Sequence, residues 1–296
     1  MIRHLWVAAA LLAAAACGGG GAGTAGSTSG VEVVAAENFW GSIAAQLGGE
    51  RAHVTSVITN PATDPHDYDP TPSDARLIAR ASLVVVNGAG YDAWATKLLD
   101  SSPSAGREVL NVADLFGKKD GDNPHFWYSP AYVDQVVVSI TESLKKVDPA
   151  DASLFDARRD LYESSGLRAY HDAIASIRQG HSGAPVGASE SIFAYMSPAL
   201  GLDLVTPPGY MQAISEGTDL SPGDKTTVDQ QVSSREIKVF VFNSQNSTPE
   251  VQEVVSRARA AGIPVVQITE TLSPANATFQ GWQTRQLTSL LHALGG

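Results

Sequence analysis

The chain has 296 residues, of which 43% are hydrophobic, 17% charged and 7% aromatic, a globular composition that excludes disorder of the whole chain and fits about two domains. Twenty basic side chains against 31 acidic ones leave a formal charge of −11, which argues against nucleic acid as a partner because phosphate binding needs clustered cations. A single cysteine allows neither an intrachain disulfide nor a thiolate metal cluster, so chemistry here would use nitrogen and oxygen donors.

Met1-Ile2-Arg3-His4 forms a short cationic start, followed by an apolar run of 12 residues from Leu5 to Ala16 and then Cys17. That run is too short for a spanning helix, which needs about 20 residues, so residues 1–16 read as an export signal. Ala14-Ala15-Ala16-Cys17 resembles the lipobox of bacterial lipoproteins, in which the cysteine becomes the first mature residue and carries lipid. Ala14 stands where that motif prefers leucine, and the other reading is a plain secretory signal with Cys17 incidental. Residues 17–30 are a Gly/Ser/Thr tract that cannot bury apolar surface, expected as a flexible tether between a lipid anchor and a folded part that begins near Val31. Loss of residues 1–16 leaves 19 basic and 31 acidic side chains, a formal charge of −12.

From Val31 onward, short apolar runs alternate with helical segments. Strands are expected at 31–36, 54–58, 83–87 and 108–112, with helices at 40–47, 73–80 and 91–99. Runs rich in β-branched residues with little polar alternation suit a parallel sheet covered on both faces. After residue 180 the pattern repeats, with strands at 185–189, 202–207, 238–243 and 264–268 and helices at 190–199, 225–235, 248–261 and 279–293. The fold class is therefore α/β, with two lobes of mainly parallel four-stranded sheets, an N-terminal lobe over 31–148 and a C-terminal lobe over 181–296. Between them, Asp148-Pro149 is a good helix start and Gly180 a stop, with Leu167, Tyr170, Ile174 and Ile177 at helical spacing. A linking helix over 149–180 would span on the order of 45 Å and restrict hinge motion; Ser164-Ser165-Gly166 weakens its middle.

Two histidines stand out. His66, in Asp64-Pro65-His66-Asp67-Tyr68-Asp69-Pro70, follows the strand at 54–58, and His125, in Asn123-Pro124-His125-Phe126-Trp127, lies between elements. Ligands of open α/β sheets gather at the carboxyl ends of the strands. Glu190 follows the strand at 185–189 and Glu270 the strand at 264–268, so all four could converge on one cleft between the lobes. Two imidazoles and two carboxylates would offset a divalent cation and supply about four to six donor atoms. Spacing alone leaves open that the histidines are structural and that Glu190 is an acid favoured by a helix N-terminus.

The stretch from Asp64 to Asp74, together with Ala81-Ser82-Leu83-Val84-Val85-Val86-Asn87-Gly88, resembles the zinc/manganese-binding solute-binding proteins of bacterial ABC transporters, the cluster A-I family, and Asn123-Pro124-His125-Phe126-Trp127 matches that family's second histidine motif. The resemblance runs over roughly 31–294. It implies a metal site of His66, His125, Glu190 and Glu270, with Glu190 in the place of a third histidine of zinc-type members and of the glutamate of manganese-type members. Glu270 stands where the family usually has aspartate followed by proline, so Asp67, Asp69 and Glu216 stay open as alternative acids. Ile214 to Pro222 resembles a family loop, and the long His/Asp-rich loop of many zinc importers is missing before His125.

The resemblance implies capture of one divalent metal ion without catalysis and delivery to a cognate ABC permease, by a lipid-anchored monomer on the outer face of the cytoplasmic membrane or in the periplasm. Two glutamates make a harder donor set than a third histidine, which places manganese slightly ahead of zinc, with ferrous iron compatible; the Irving–Williams order pulls toward zinc. Acid should release the metal, with His66 and His125 protonating first. The rival readings are a binding protein for an iron-siderophore or other organic metal complex, whose pocket Trp40, Trp94 and Trp127 could line, a metallohydrolase, and a surface adhesin. His171 and His181 carry no motif and fall on the linking helix.

Overall fold

The computed structural model describes residues 30–61, 63 and 68–295. The export segment, the tether with Cys17, and His66 and Asp67 lie outside the described residues.

The first half alternates β1 (Val31–Glu37), α1 (Asn38–Gly48), β2 (Ala52–Ile58), α2 (Pro72–Arg80), β3 (Leu83–Val86), α3 (Ala93–Ser101), β4 (Glu108–Asn111) and the short α4 (Val112–Leu115). Its strands pair in parallel in the order β2-β1-β3-β4. Leu83-Val84-Val85-Val86 is buried at every position, as a central strand covered on both faces must be.

A helix that the sequence pattern does not announce, α5 (Pro130–Val147), follows. Ser129 caps it and Pro130 opens it. Its run of β-branched residues has poor helix propensity, but Val133, Val136, Val137, Ile140 and Leu144 make one buried stripe, and packing overrides propensity.

The link runs through α6 (Ala152–Leu161), a π-turn at Tyr162–Gly166 and α7 (Arg168–His181). Leu167 N–H reaches back to the Tyr162 carbonyl at 2.8 Å, so the weak Ser164-Ser165-Gly166 stretch widens the helix by a residue at that point. His171 and His181 lie on α7.

The second half contains β5 (Pro185–Ala188), a 3₁₀ turn at Ser191–Ala194, α8 (Met196–Ala199), β6 (Asp203–Leu204), α9 (Pro208–Ser215), α10 (Pro222–Ser233), β7 (Val239–Asn243), α11 (Pro249–Ala260), β8 (Val265–Ile268) and α12 (Phe279–Leu294). Its parallel order, β6-β5-β7-β8, repeats that of the first sheet position for position. The strand expected at 202–207 is reduced to Asp203–Leu204, because Pro207 and Pro208 lack the amide hydrogens a longer ladder needs. The helix expected at 190–199 is likewise split between the 3₁₀ turn and α8.

One hydrophobic core extends through both lobes. It contains Val33 and Val85 of the first sheet, Val186 and Val241 of the second, and Leu167, Tyr170 and Ile177 of the link. The C-terminal α12 packs on α7 and reaches α1 of the other lobe, where Gln46 and Gln280 exchange amide hydrogen bonds of 3.1 and 2.6 Å. No helix among the described residues is long and apolar enough to cross a membrane.

After β3 the chain turns sharply through Asn87-Gly88-Ala89-Gly90. Gly88 has φ +77°, and a Cβ there would lie 2.1 Å from Asn111 Oδ1 and 2.8 Å from Ala113 Cβ. Asp92 holds the turn by accepting from the Asn87 and Gly88 amides at 2.6 and 2.8 Å. Gly88→Ala should therefore lose about 2–5 kcal/mol of stability through left-handed strain and overpacking. Urea denaturation of the metal-free protein measures it, and a loss below 1 kcal/mol (about one surface substitution) would contradict the geometry.

Candidate metal centre

Because both sheets are parallel, the carboxyl ends of all strands in a lobe lie on one side, and the two such sides face each other. Tyr91, just after β3, and Glu270, just after β8, meet across this junction, the phenol donating to Glu270 Oε2 at 2.9 Å. Tyr128 O–H donates to the Thr269 carbonyl at 2.8 Å, Leu272 N–H to Asn38 Oδ1 at 3.1 Å, and Asn123 Nδ2 to the Ser191 carbonyl at 2.8 Å. These bonds join the lobes around the sequence-predicted site.

Three of the four candidate ligands come together there. His125, Glu190 and Glu270 are all buried, and each presents one donor atom within 4.8 Å of the others. His66, the fourth, lies outside the described residues. Of the alternative acids, Asp69 and Glu216 are exposed, and Asp67 lies outside the described residues.

His125 is held in one tautomer. Asn123 Oδ1 accepts from the His125 backbone amide at 3.1 Å and sits 2.7 Å from His125 Nδ1. Asn123 Nδ2 donates to Ser191, which fixes the direction of the amide, so Nδ1 carries the proton and Nε2 keeps its lone pair for a cation. Tyr91 and Trp127 stand beside the ring edge-on, with centroids 6.2 and 5.2 Å away.

The glutamates are arranged by strand order. Glu190 lies two residues past β5 and Glu270 two past β8, while β7, between those strands, ends in Asn243. Asn243 Nδ2 donates to Glu190 Oε1 and, at 2.8 Å, to Glu270 Oε1. Glu190 Oε2 accepts from Ser215 Oγ at 3.2 Å and Asn246 Nδ2 at 3.0 Å. Its backbone is extended and its side chain makes no capping bond, so the helix-terminus role open in the sequence does not describe it. Burial, and then the charge of Glu270, push the Glu190 pKa up to about 8 against the opposing hydrogen bonds.

Asn243, Asn246, Ser215 and Tyr91 were not candidates in the sequence. A cavity of about 470 Å³ opens between the lobes beside the cluster, walled by His125 and Asn123 on one side and by Ser191, Ser215 and Glu216 on the other. Trp40, Trp94 and Trp127 are buried in packed side chains and do not line it, unlike the aromatic cage an organic complex would need. The donor set itself, one oriented imidazole and two buried carboxylates, fits a divalent cation: the positive charge would relieve the carboxylate repulsion that burial magnifies.

A family model described as zinc-uptake complex component A, periplasmic, matches residues 33–293. The manganese-binding lipoprotein MntA of Halalkalibacterium halodurans is 28% identical over 191 residues, 62% of this chain and 62% of that protein. The manganese ABC transporter substrate-binding lipoprotein PsaA of Streptococcus pneumoniae is 24% identical over 246 residues, 75% of each. Among solved structures, the Mn-bound periplasmic metal binding protein from Candidatus Liberibacter asiaticus superposes with a TM-score of 0.74 at 20% identity, over 88% of this chain and 98% of that one. This last likeness is one of fold.

Proposed function

The chain belongs to the zinc-uptake complex component A family, and from that premise we propose that it captures one divalent transition-metal cation outside the cytoplasm and hands it to the permease of an ABC transporter. The observation that carries this reading is the convergence of His125, Glu190 and Glu270, drawn from both lobes, on a point that one small ion could share. In this reading His66 completes the set, and binding and release are the whole of the activity. The related lipoproteins named above support export and a lipid anchor at Cys17, with a membrane permease and its ATPase as partners; in this reading the chain acts as a monomer.

In this reading the cargo is manganese slightly ahead of zinc, with ferrous iron accepted. Two glutamates harden the donor set relative to a third imidazole, and relatives such as MntA and PsaA are named for manganese. The cavity beside His125 gives the ion a path in. Since one core joins the lobes, opening for release would be a small movement at the junction, by loosening the bonds of Tyr91, Asn123 and Tyr128, rather than a wide hinge.

The test is metal analysis and titration of the chain from residue 30 onward, purified without chelator. One equivalent of Mn²⁺ or Zn²⁺ should bind, and a free concentration about 100 times Kd should add about 2.7 kcal/mol of stability, seen as a higher melting temperature. Absence of binding and of any melting shift with both ions would overturn the reading.

A further inference from the structure

Two amide side chains cross the junction between the lobes in opposite directions, and each is anchored in its own lobe beside a residue of the metal centre. Asn123, in the first lobe, accepts from the His125 backbone amide and ring Nδ1 through Oδ1 at 3.1 and 2.7 Å, and donates through Nδ2 to the Ser191 carbonyl of the second lobe at 2.8 Å. Ser191 follows Glu190 directly. Gln245, in the second lobe, accepts from the Thr271 backbone amide through Oε1 at 2.9 Å, and donates through Nε2 to the Pro61 carbonyl of the first lobe. Thr271 follows Glu270 directly, and Pro61 stands five residues before His66 in the sequence. Tyr195 O–H adds a second bond from the second lobe, to the Asn123 carbonyl at 3.0 Å.

An amide suits this task because its acceptor and its donors sit on opposite sides of one rigid plane, so the bond at one end orients the bond at the other. With the Ser191 carbonyl withdrawn, the Asn123 side chain is free to rotate and gives up its hold on the imidazole. With the Pro61 carbonyl withdrawn, Gln245 gains the same freedom at the segment that follows Glu270. Both side chains are half-buried, so water takes over the broken bonds on separation and each is worth only a modest net amount. Two modest bonds give a closure that holds and still reverses.

We propose that Asn123 and Gln245 are positioning residues that act as paired clasps, coupling separation of the lobes to loss of ligand geometry and so setting the rate of metal release. The inference rests on the metal-capture reading. The coupling is reciprocal: a bound ion, by drawing the ligand segments together, tightens both clasps.

The experiment compares the parent with Asn123→Asp and Gln245→Glu. Each variant keeps the shape of the side chain and the acceptor within its own lobe, and lacks the donor that crosses. Loaded with Zn²⁺ and mixed with excess chelator, each should lose metal about 3–10-fold faster than the parent, the range that one net hydrogen bond supplies. The added negative charge would by itself slow the loss of a cation, so the expected direction separates a clasp from plain electrostatics. A merely structural amide would change the melting of the metal-free protein and leave the release rate alone. Release that is unchanged or slower in either variant would overturn the proposal. A measurement on the parent needs no variant to fold: by NMR, the side-chain amide hydrogens of Asn123 and Gln245 should exchange with water about tenfold or more slowly with Zn²⁺ bound than without it. Equal exchange in the two states would overturn the proposal as well. A parent that binds neither Zn²⁺ nor Mn²⁺ would instead sink metal capture itself.

Discussion

Glu270→Gln should weaken metal binding on the order of a hundredfold or more and, at the same time, raise the melting temperature of the metal-free protein. Glutamine keeps the shape of the side chain. Its carbonyl can still accept from Asn243 Nδ2, and its amide can donate to the Tyr91 hydroxyl, which accepts as readily as it gives. What disappears is one negative charge beside buried Glu190. Each unit by which the Glu190 pKa returns toward its ordinary value is worth about 1.4 kcal/mol, so relief of this repulsion should stabilise the empty protein by about 1–2 kcal/mol, a rise of a few degrees. The opposite movement of stability and affinity is what distinguishes a ligand from a structural acid, since a merely structural Glu270 would lose stability and leave binding intact. Paired thermal melts with and without Mn²⁺ read both quantities.

Metal binding at pH 7 should release about one proton from the glutamate pair. In the empty protein Glu190 titrates at about 8, raised by burial and by Glu270 from an ordinary value of 4.5. For an acid raised in the folded state, its stabilising contribution is complete below about 4.5 and is lost as pH climbs through about 8. The metal-free protein should accordingly become less stable from pH 5 to pH 8.5 on account of this group (a window bracketing its two pKa values). Only the ionised carboxylate serves the cation, so affinity should rise by up to about tenfold per pH unit through neutrality and flatten above about pH 8. Sequence reasoning puts the imidazoles first in acid release; burial and the charge of Glu270, which raise Glu190 to about 8, add this carboxyl to the groups whose protonation opposes binding. Calorimetric titrations in two buffers of different ionisation enthalpy measure the proton directly. Identical heats in both buffers, with affinity flat between pH 6.5 and 8 (the interval between the two groups), would rule this account out.

Much of the architecture is readable from local pattern, and the reasons are specific. Leu83-Val84-Val85-Val86 and Val239-Phe240-Val241-Phe242 are continuous apolar runs bounded by turn residues, which only a doubly covered strand needs. Glu190 and Glu270 are visible as candidates because each comes two residues after such a run. α5 is hidden because Val136-Val137-Val138 and Ile140-Thr141 carry strand-like residues, and only the packing of Val133, Val136, Val137, Ile140 and Leu144 as one buried stripe makes a helix of them. Asn243 is hidden for another reason: an asparagine at a strand end reads as a turn former. What makes it part of the centre is the lateral order of strands, and that order is a non-local fact which no window of sequence contains.

The continuity of the core through both sheets also bears on how such a chain could have arisen and how it can be recombined. The two halves repeat one strand order, as a duplicated ancestral unit would, yet they are no longer interchangeable modules. Val85 and Val241 belong to the same apolar mass, and α12 closes against a helix of the opposite half. A crossover placed in the linking helix would expose matched apolar faces on both products, so exchange of cargo specificity between relatives should travel by substitution at the junction rather than by swapping lobes.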